Sequence, residues 1–224
     1  MIIKVCGMRE AKNIRAVEQA GADWIGFIFY KESPRYVSQI KSRAGIIPDY
    51  SSLENENGTV AHAKRVGVFV DDMPQNIVTR IVNYNLDAVQ LHGDESSIMI
   101  DNLRRTVDPD IHPGIKIIKA IGIETSEDLK QCDEFDGHVD YFLFDTKTTQ
   151  KGGSGKQFDW DILKAYNGKT PFFLSGGIGP DYAEHIKKFS HPQFAGIDLN
   201  SQFETEPAVK DAEKLKEFIE AVRK

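Results

Sequence analysis

Apolar and polar positions fall in blocks along the chain, and two periods alternate. Short apolar runs at Ile2–Val5, Trp24–Phe29, Arg65–Val70, Ala88–Leu91, Ile115–Ala120, Tyr141–Phe144, Phe172–Leu174 and Phe194–Leu199 each predict a strand. Between them, apolar residues recur at helical spacing over Glu10–Ala20, Ser38–Ile47, Met73–Asn83, Ser96–Thr106, Ser126–Cys132 and Trp160–Tyr166. A further helix follows Pro180 through Tyr182, Ile186 and Phe189, and Val209–Val222 closes the chain as a charged amphipathic helix. Eight strands and eight helical segments share 224 residues, or 28 per unit. Nearly continuous apolar strands are what a parallel sheet covered on both faces requires. Strict βα alternation implies right-handed crossovers. The pattern therefore predicts an α/β fold, a single (β/α)8 TIM barrel over residues 1–224, with an open doubly wound sheet as the alternative.

Two stretches break this rhythm. Pro48–His62 is polar and precedes the third strand, which puts it on the barrel's stability face as a surface insertion near 48–62. Lys147–Asp159 contains Gly152-Gly-Ser-Gly155, follows the sixth strand, and falls on the catalytic face, where it is placed to act as a lid.

Charge narrows the partners. A net charge of −6 and a pI near 5.6 argue against nucleic acid or an anionic membrane surface. An anionic substrate has to be met by local cations and backbone dipoles. No apolar run approaches a membrane span, and the first residues lack the apolar core of a signal peptide. The two cysteines, Cys6 and Cys132, form no CxxC. A reducing cytoplasm with both thiols free is expected.

In a barrel, chemistry sits at the carboxyl ends of the strands. Cys6 ends the first strand and is either a small buried hydrophobe or, if its pKa is lowered, a base or nucleophile. Cys132, on the back of a helix, reads as structural. Arg35 follows Ser33-Pro34 after the second strand, either as a solvated arginine or as a fork for a carboxylate or phosphate. Asp71, after the third strand, reads as the N-cap of the next helix. Gln90 points into the barrel mouth by its period of two, and His92 beyond it is an acid, a base, an anion donor or a loop brace. With no second histidine at ligand spacing, no metal site is expected. Asp145, after three apolar residues, is costly unless paired or working. Gly152–Lys156 invites a nucleotide-loop reading, but Gln150 and Gln157 stand where that spacing needs glycine and serine or threonine. Ser175-Gly176-Gly177 turns the chain from strand to helix and lets a phosphate approach backbone N–H groups. A second such turn at Gly196–Ser201 lies one unit on, and the two side by side would form one phosphate cup.

Taken in order, Lys4-Val-Cys-Gly-Met-Arg9, Ser33-Pro-Arg-Tyr36, Val66-Gly-Val-Phe-Val70, Val89-Gln-Leu-His-Gly93, Phe144-Asp-Thr146 with Gly152-Gly-Ser-Gly-Lys156, and Ser175-Gly-Gly-Ile178 resemble the phosphoribosylanthranilate isomerase family across nearly the whole chain. The resemblance implies an Amadori rearrangement in tryptophan biosynthesis, with a small phosphosugar-anthranilate substrate and neither metal nor organic cofactor. It implies Asp145 as general acid at the furanose ring oxygen, and Cys6 as general base at the sugar C2. It implies Arg35 as holder of the anthranilate carboxylate, with Gly177, Ile178, Asn200 and Ser201 around the phosphate. His92 and Asp198 match strand-end positions of the family. The protein is expected to be a monomer or a homodimer. One departure is Gln202, where the family usually has glycine, so that one half of the cup is angled differently. An epimerase barrel would want metal-binding histidines at several strand ends, an indole-glycerol-phosphate synthase would want early catalytic lysines and a glutamate, and a non-catalytic binding barrel would have lost Cys6 or Asp145.

Overall fold

The computed structural model describes residues 1–38, 63–146 and 159–224. Eight parallel strands close on themselves in chain order: β1 (Ile2–Cys6), β2 (Trp24–Ile28), β3 (Lys64–Phe69), β4 (Ala88–Leu91), β5 (Lys116–Ile123), β6 (Tyr141–Thr146), β7 (Phe172–Leu174) and β8 (Phe194–Leu199). Strand β1 pairs with both β2 and β8, which closes the barrel and rules out the open sheet. The helices are α1 (Ala11–Gln19), α2 (Pro74–Tyr84), α3 (Ser97–Val107), α4 (Cys132–Phe135), α5 (Ala183–Lys188) and α6 (Ala212–Arg223). The expected helix beyond Ser38, the insertion near 48–62 and the loop over 147–158 lie outside the described residues.

Local chemistry sets the helix ends. Pro74 opens α2, and Asn85 ends it in the left-handed conformation. Ser96 accepts a hydrogen bond from Met99 N at 3.3 Å to start α3. Two expected helices are 3-10 turns instead, at Ser126–Gln131 and Trp160–Ala165, the first held by a reciprocal capping box between Thr125 and Asp128. The last helix starts three residues later than its apolar spacing predicts. Val209–Lys210 is a short strand, β10, paired antiparallel with β9 (Glu204–Glu206). Two contacts keep Lys210 out of the helix. The Asn13 side-chain amide takes both its backbone N–H and its C=O, each at 2.8 Å, and Asp211 caps the helix at Lys214 N.

Alternation sorts the strand residues into two shells. Ile3, Val5, Ile25, Phe27, Phe142 and Phe144 face outward into one apolar layer with the helices. Trp24, Val66, Ala88, Ile118, Leu143 and Phe173 fill the barrel's interior. Trp24 and Tyr141 each lie 5.3 Å from Phe173, ring centre to ring centre, and plug the amino end. Towards the carboxyl end the same inward face turns polar, with Lys4, Cys6, Gln90, Asp145 and Asp198. Lys4 and Asp198 are register partners on β1 and β8, and their side chains pair at 2.8 Å out of solvent. Opposite Cys6, β2 carries Gly26, where a Cβ would come within 2.8 Å of the thiol sulfur.

A buried ion pair attracts strongly but costs desolvation, so breaking it hurts more than replacing it. Asp198→Ala is expected to lose about 3–5 kcal/mol in urea unfolding, and Lys4→Met with Asp198→Leu to recover most of that. A single substitution that costs nothing would show the pair to be idle.

Candidate active site

The polar end of the interior brings several strand-end residues to one mouth. Cys6 is the last residue of β1 and is 3% exposed. Burial pushes its thiol above the ordinary 9.0, and the charge of Asp198 adds to this, while the Lys4 and Lys210 ammonium groups oppose it. The lowered pKa that a resting thiolate needs is therefore not what this site provides, because Cys6 has lost its water. Cys132, on α4, is pushed up to about 12 by burial, as suits a structural thiol.

Asp145 lies inside β6 rather than beyond it, paired in register with Gly122 of β5. Its Oδ1 accepts from Thr146 N at 2.8 Å, and its Oδ2 lies 3.7 Å from His92 Nε2. Burial raises its pKa to about 6, and Asp198 adds to the rise. The Thr146 N–H, Lys4 and Ser175 pull the other way. The result is a carboxyl group that can hold a proton near neutral pH.

His92 faces Asp145, and its Nδ1 lies 3.4 Å from Gln90 Nε2. Gln90 points inward as its period predicts, is 2% exposed, and its buried Oε1 has no hydrogen-bond partner among the described residues. The loop that carries His92 is braced from below. Glu95 accepts from Asp71 N and Gly93 N, both at 2.9 Å, and from Lys119 Nζ at 3.1 Å, while Lys119 also donates to Gly93 O at 2.6 Å. Asp71 is accordingly not the N-cap expected of it. That position is Met73, and Asp71 has a left-handed backbone with its carboxylate on Asp94 N. Its side chain ties two loops together instead of starting α2.

Arg35 is anchored. Its Nε and Nη2 donate to the two oxygens of Glu204 at 2.8 and 2.6 Å, so part of its fork is already used within the protein. These hydrogen bonds hold the pKa of Arg35 above the ordinary value, against the smaller opposing effect of burial.

The two turns expected to form a cup do adjoin. After β7, Gly176 and Gly177 have φ of 88° and 68°, which side chains rarely adopt. Ile178 is buried behind them. A 3-10 turn over Pro180–Tyr182 precedes the short α5. After β8, Asn200 has an irregular backbone, and Ser201–Phe203 forms another 3-10 turn. A Cβ on Gly179 would lie 3.7 Å from Gln202 Cβ, so the turns touch there. Asp198 sits deeper, against Lys4.

Sequence reasoning passed over Lys4, Glu95, Lys119, Glu204 and Lys210. For Lys4 the signal was available, since it shares a strand face with Cys6 in an otherwise apolar run. The others are matched by contacts far along the chain. Among the described residues, no group of three or more His, Cys, Asp or Glu is placed to hold a metal ion.

A thiol, a carboxyl group and an imidazole lie at the carboxyl mouth of a closed (β/α)8 barrel, beside two adjoining loop turns, the place where enzymes of this fold keep their active sites. The chain matches the family model of N-(5'-phosphoribosyl)anthranilate (PRA) isomerase over residues 3–221, and it belongs to that family. A curated N-(5'-phosphoribosyl)anthranilate isomerase from Parabacteroides distasonis is 47% identical over 99% of this chain and 93% of its own. The phosphoribosyl anthranilate isomerase of Thermotoga maritima superposes with a TM-score of 0.76 at 31% identity, over 100% of this chain and 99% of that one. A further isomerase structure, in complex with reduced 1-(o-carboxyphenylamino)-1-deoxyribulose 5-phosphate, gives 0.74 at 27% identity, over 100% and 99%.

The raised pKa of Asp145 has a stability consequence. Its folded value near 6 stands above the ordinary 3.8, so the folded state binds the proton more tightly than the unfolded chain does. The carboxyl therefore costs nothing below pH 3.8, and its penalty grows until pH passes 6. Asp145→Asn is expected to be more stable than wild type at pH 8 by on the order of 1–3 kcal/mol, the gap closing towards pH 4. Denaturant unfolding at both pH values measures this, and equal stabilities at pH 8 would remove the strain assigned to the carboxylate.

Proposed function

We propose that Asp145 and Cys6, as general acid and general base, carry out the reaction of this isomerase family. The reaction converts N-(5-phosphoribosyl)anthranilate to 1-(2-carboxyphenylamino)-1-deoxyribulose 5-phosphate in tryptophan biosynthesis. The observation that carries the reading is the carboxyl of Asp145, raised to about 6 in a mouth it shares with Cys6. Asp145 protonates the furanose ring oxygen, the C1–O bond breaks, and the nitrogen lone pair forms the C1=N bond. Cys6 takes the C2 proton. The C2–H electron pair becomes C1=C2, and the C1=N pair returns to nitrogen, giving an enolamine that tautomerises to the ketone. Arg35 takes the anthranilate carboxylate on the part of its fork that Glu204 leaves. Backbone N–H groups of Gly177, Ile178 and Ser201, with Asn200, take the phosphate. His92 orients the Asp145 carboxyl, and Asp198 holds Lys4 beneath Cys6. The compound bound to the structural relative carries both a carboxylate and a phosphate, the two anionic ends this arrangement provides for. The whole chain is taken as one barrel domain acting in the cytoplasm. Among the described residues no helix is long and apolar enough to cross a membrane.

The active form has its proton on Asp145 and not on Cys6, although the thiol holds its proton more tightly. Catalysis thus runs through a minor protonation state. The population of that state rises with pH up to the Asp145 value, stays level, and falls only once the thiol itself titrates. The expected profile of kcat/KM rises to about pH 6 and holds level past pH 9. A fall beginning between pH 7 and 8 would remove Cys6 as the tightly protonated partner.

Loss of phosphoribosylanthranilate fluorescence, with substrate generated in situ, tests the roles. Cys6→Ala and Asp145→Asn are each expected to lower kcat by about 10²–10⁴-fold while still binding the reduced product analogue. Full activity in Asp145→Asn would pass the acid role to His92.

A further inference from the structure

We propose that Lys210 is a positioning residue that couples the carboxylate-holding and phosphate-holding halves of the substrate site. The proposal rests on the site reading given above. Lys210 belongs to β10, outside the barrel strands, and its side chain is wholly buried. Its ammonium donates to Glu204 Oε1 at 2.6 Å and to Asn200 Oδ1 at 2.7 Å. Glu204 in turn receives the fork of Arg35. One buried cation thus reaches Arg35 through a single carboxylate and the β8 turn through a single amide. Its own backbone is fixed on both sides by Asn13.

Charge explains why a lysine stands here. Burial lowers its pKa, and Glu204 opposes that fall. An apolar side chain would fill the space without the cost of burying an ammonium group. With Lys210, the cluster of Arg35, Glu204 and Lys210 carries two positive charges and one negative, a surplus of one cation in a chain of net charge −6. Without it, Glu204 neutralises Arg35, and an incoming carboxylate meets a salt bridge with no excess charge. The same loss leaves Asn200 Oδ1 without the donor that fixes its rotamer. Both ends of the substrate then lose affinity through one substitution.

Competition by the two halves of the substrate tests this, with anthranilate and ribose 5-phosphate as separate inhibitors. In Lys210→Met both inhibition constants are expected to rise at least fivefold, with KM for the whole substrate rising more than kcat falls. Arg35→Met is expected to weaken anthranilate alone, and Asn200→Ala ribose 5-phosphate alone. Lys210→Arg, which keeps the cation, is expected to restore anthranilate binding. A folded Lys210→Met that loses neither fragment, or only one, overturns the coupling. If Lys210→Met does not fold, the neutral but polar Lys210→Gln is measured against the same two outcomes. A wild type that turns over no substrate and binds neither fragment would overturn the functional reading beneath the proposal.

Discussion

The ion pair between Lys4 and Asp198 is the interaction on which the site depends. It spans the seam where β1 meets β8, at the level where the barrel's filling changes from aromatic to polar. Below it, Trp24, Tyr141 and Phe173 exclude water, so the charges above act in a medium that screens them weakly. Asp198 pushes the proton affinities of both Cys6 and Asp145 upward, and Lys4 pulls both downward. The two proposed reaction partners therefore answer to one pair of charges. Removing either charge would shift base and acid in the same direction, and could not tune one alone.

The backbone explains how much of this can be read along the chain. Strand positions were legible because eight buried runs alternate with eight amphipathic ones, and a parallel barrel is what such alternation builds. Cys6, His92 and Asp145 were legible because they sit where apolar runs end. Lys210 was not. Its apolar neighbours continue the periodicity of α6, while the pairing with β9 and the amide of Asn13, 197 positions away, hold the segment extended. The same holds for Arg35 and Glu204, 169 positions apart. Asp71 failed for a different reason. An aspartate just before a helix suits an N-cap, but the Glu95 and Lys119 brace fixes its backbone in a conformation that points the carboxylate at Asp94. Local rules read local bonds, and these residues are governed by long ones.

Gln202 shows the limit of an argument from a missing glycine. A glycine matters where φ is positive or where backbones come too close for a Cβ. Among the described non-glycine residues, positive φ occurs at Asp71, Asn85 and Ala208, and Gln202 is not one of them. Its side chain lies exposed, at ordinary contact distance from Gly179. Gln202 thus does not use the left-handed backbone that glycine adopts freely, while Asn200, two residues earlier, has an irregular one. What Gln202 changes is the surface beside Gly179, at the edge where the two turns meet.

The mouth of the barrel is built against stability. At neutral pH an acid group near 6 and a wholly buried ammonium group each cost more in the folded chain than in water. The outer shell, where Ile, Val and Phe pack between strands and helices, supplies the surplus that tolerates them. The division also explains where Lys4, Asp145 and Asp198 sit. They lie on the inward face of strands that hydrogen bonds to neighbouring strands hold rigid, so that they cannot relax towards water when protons move. A carboxyl on a free loop would swing out and return to its ordinary pKa. Held in β6, with Thr146 N on one oxygen and His92 facing the other, Asp145 has no such escape, and its raised proton affinity persists.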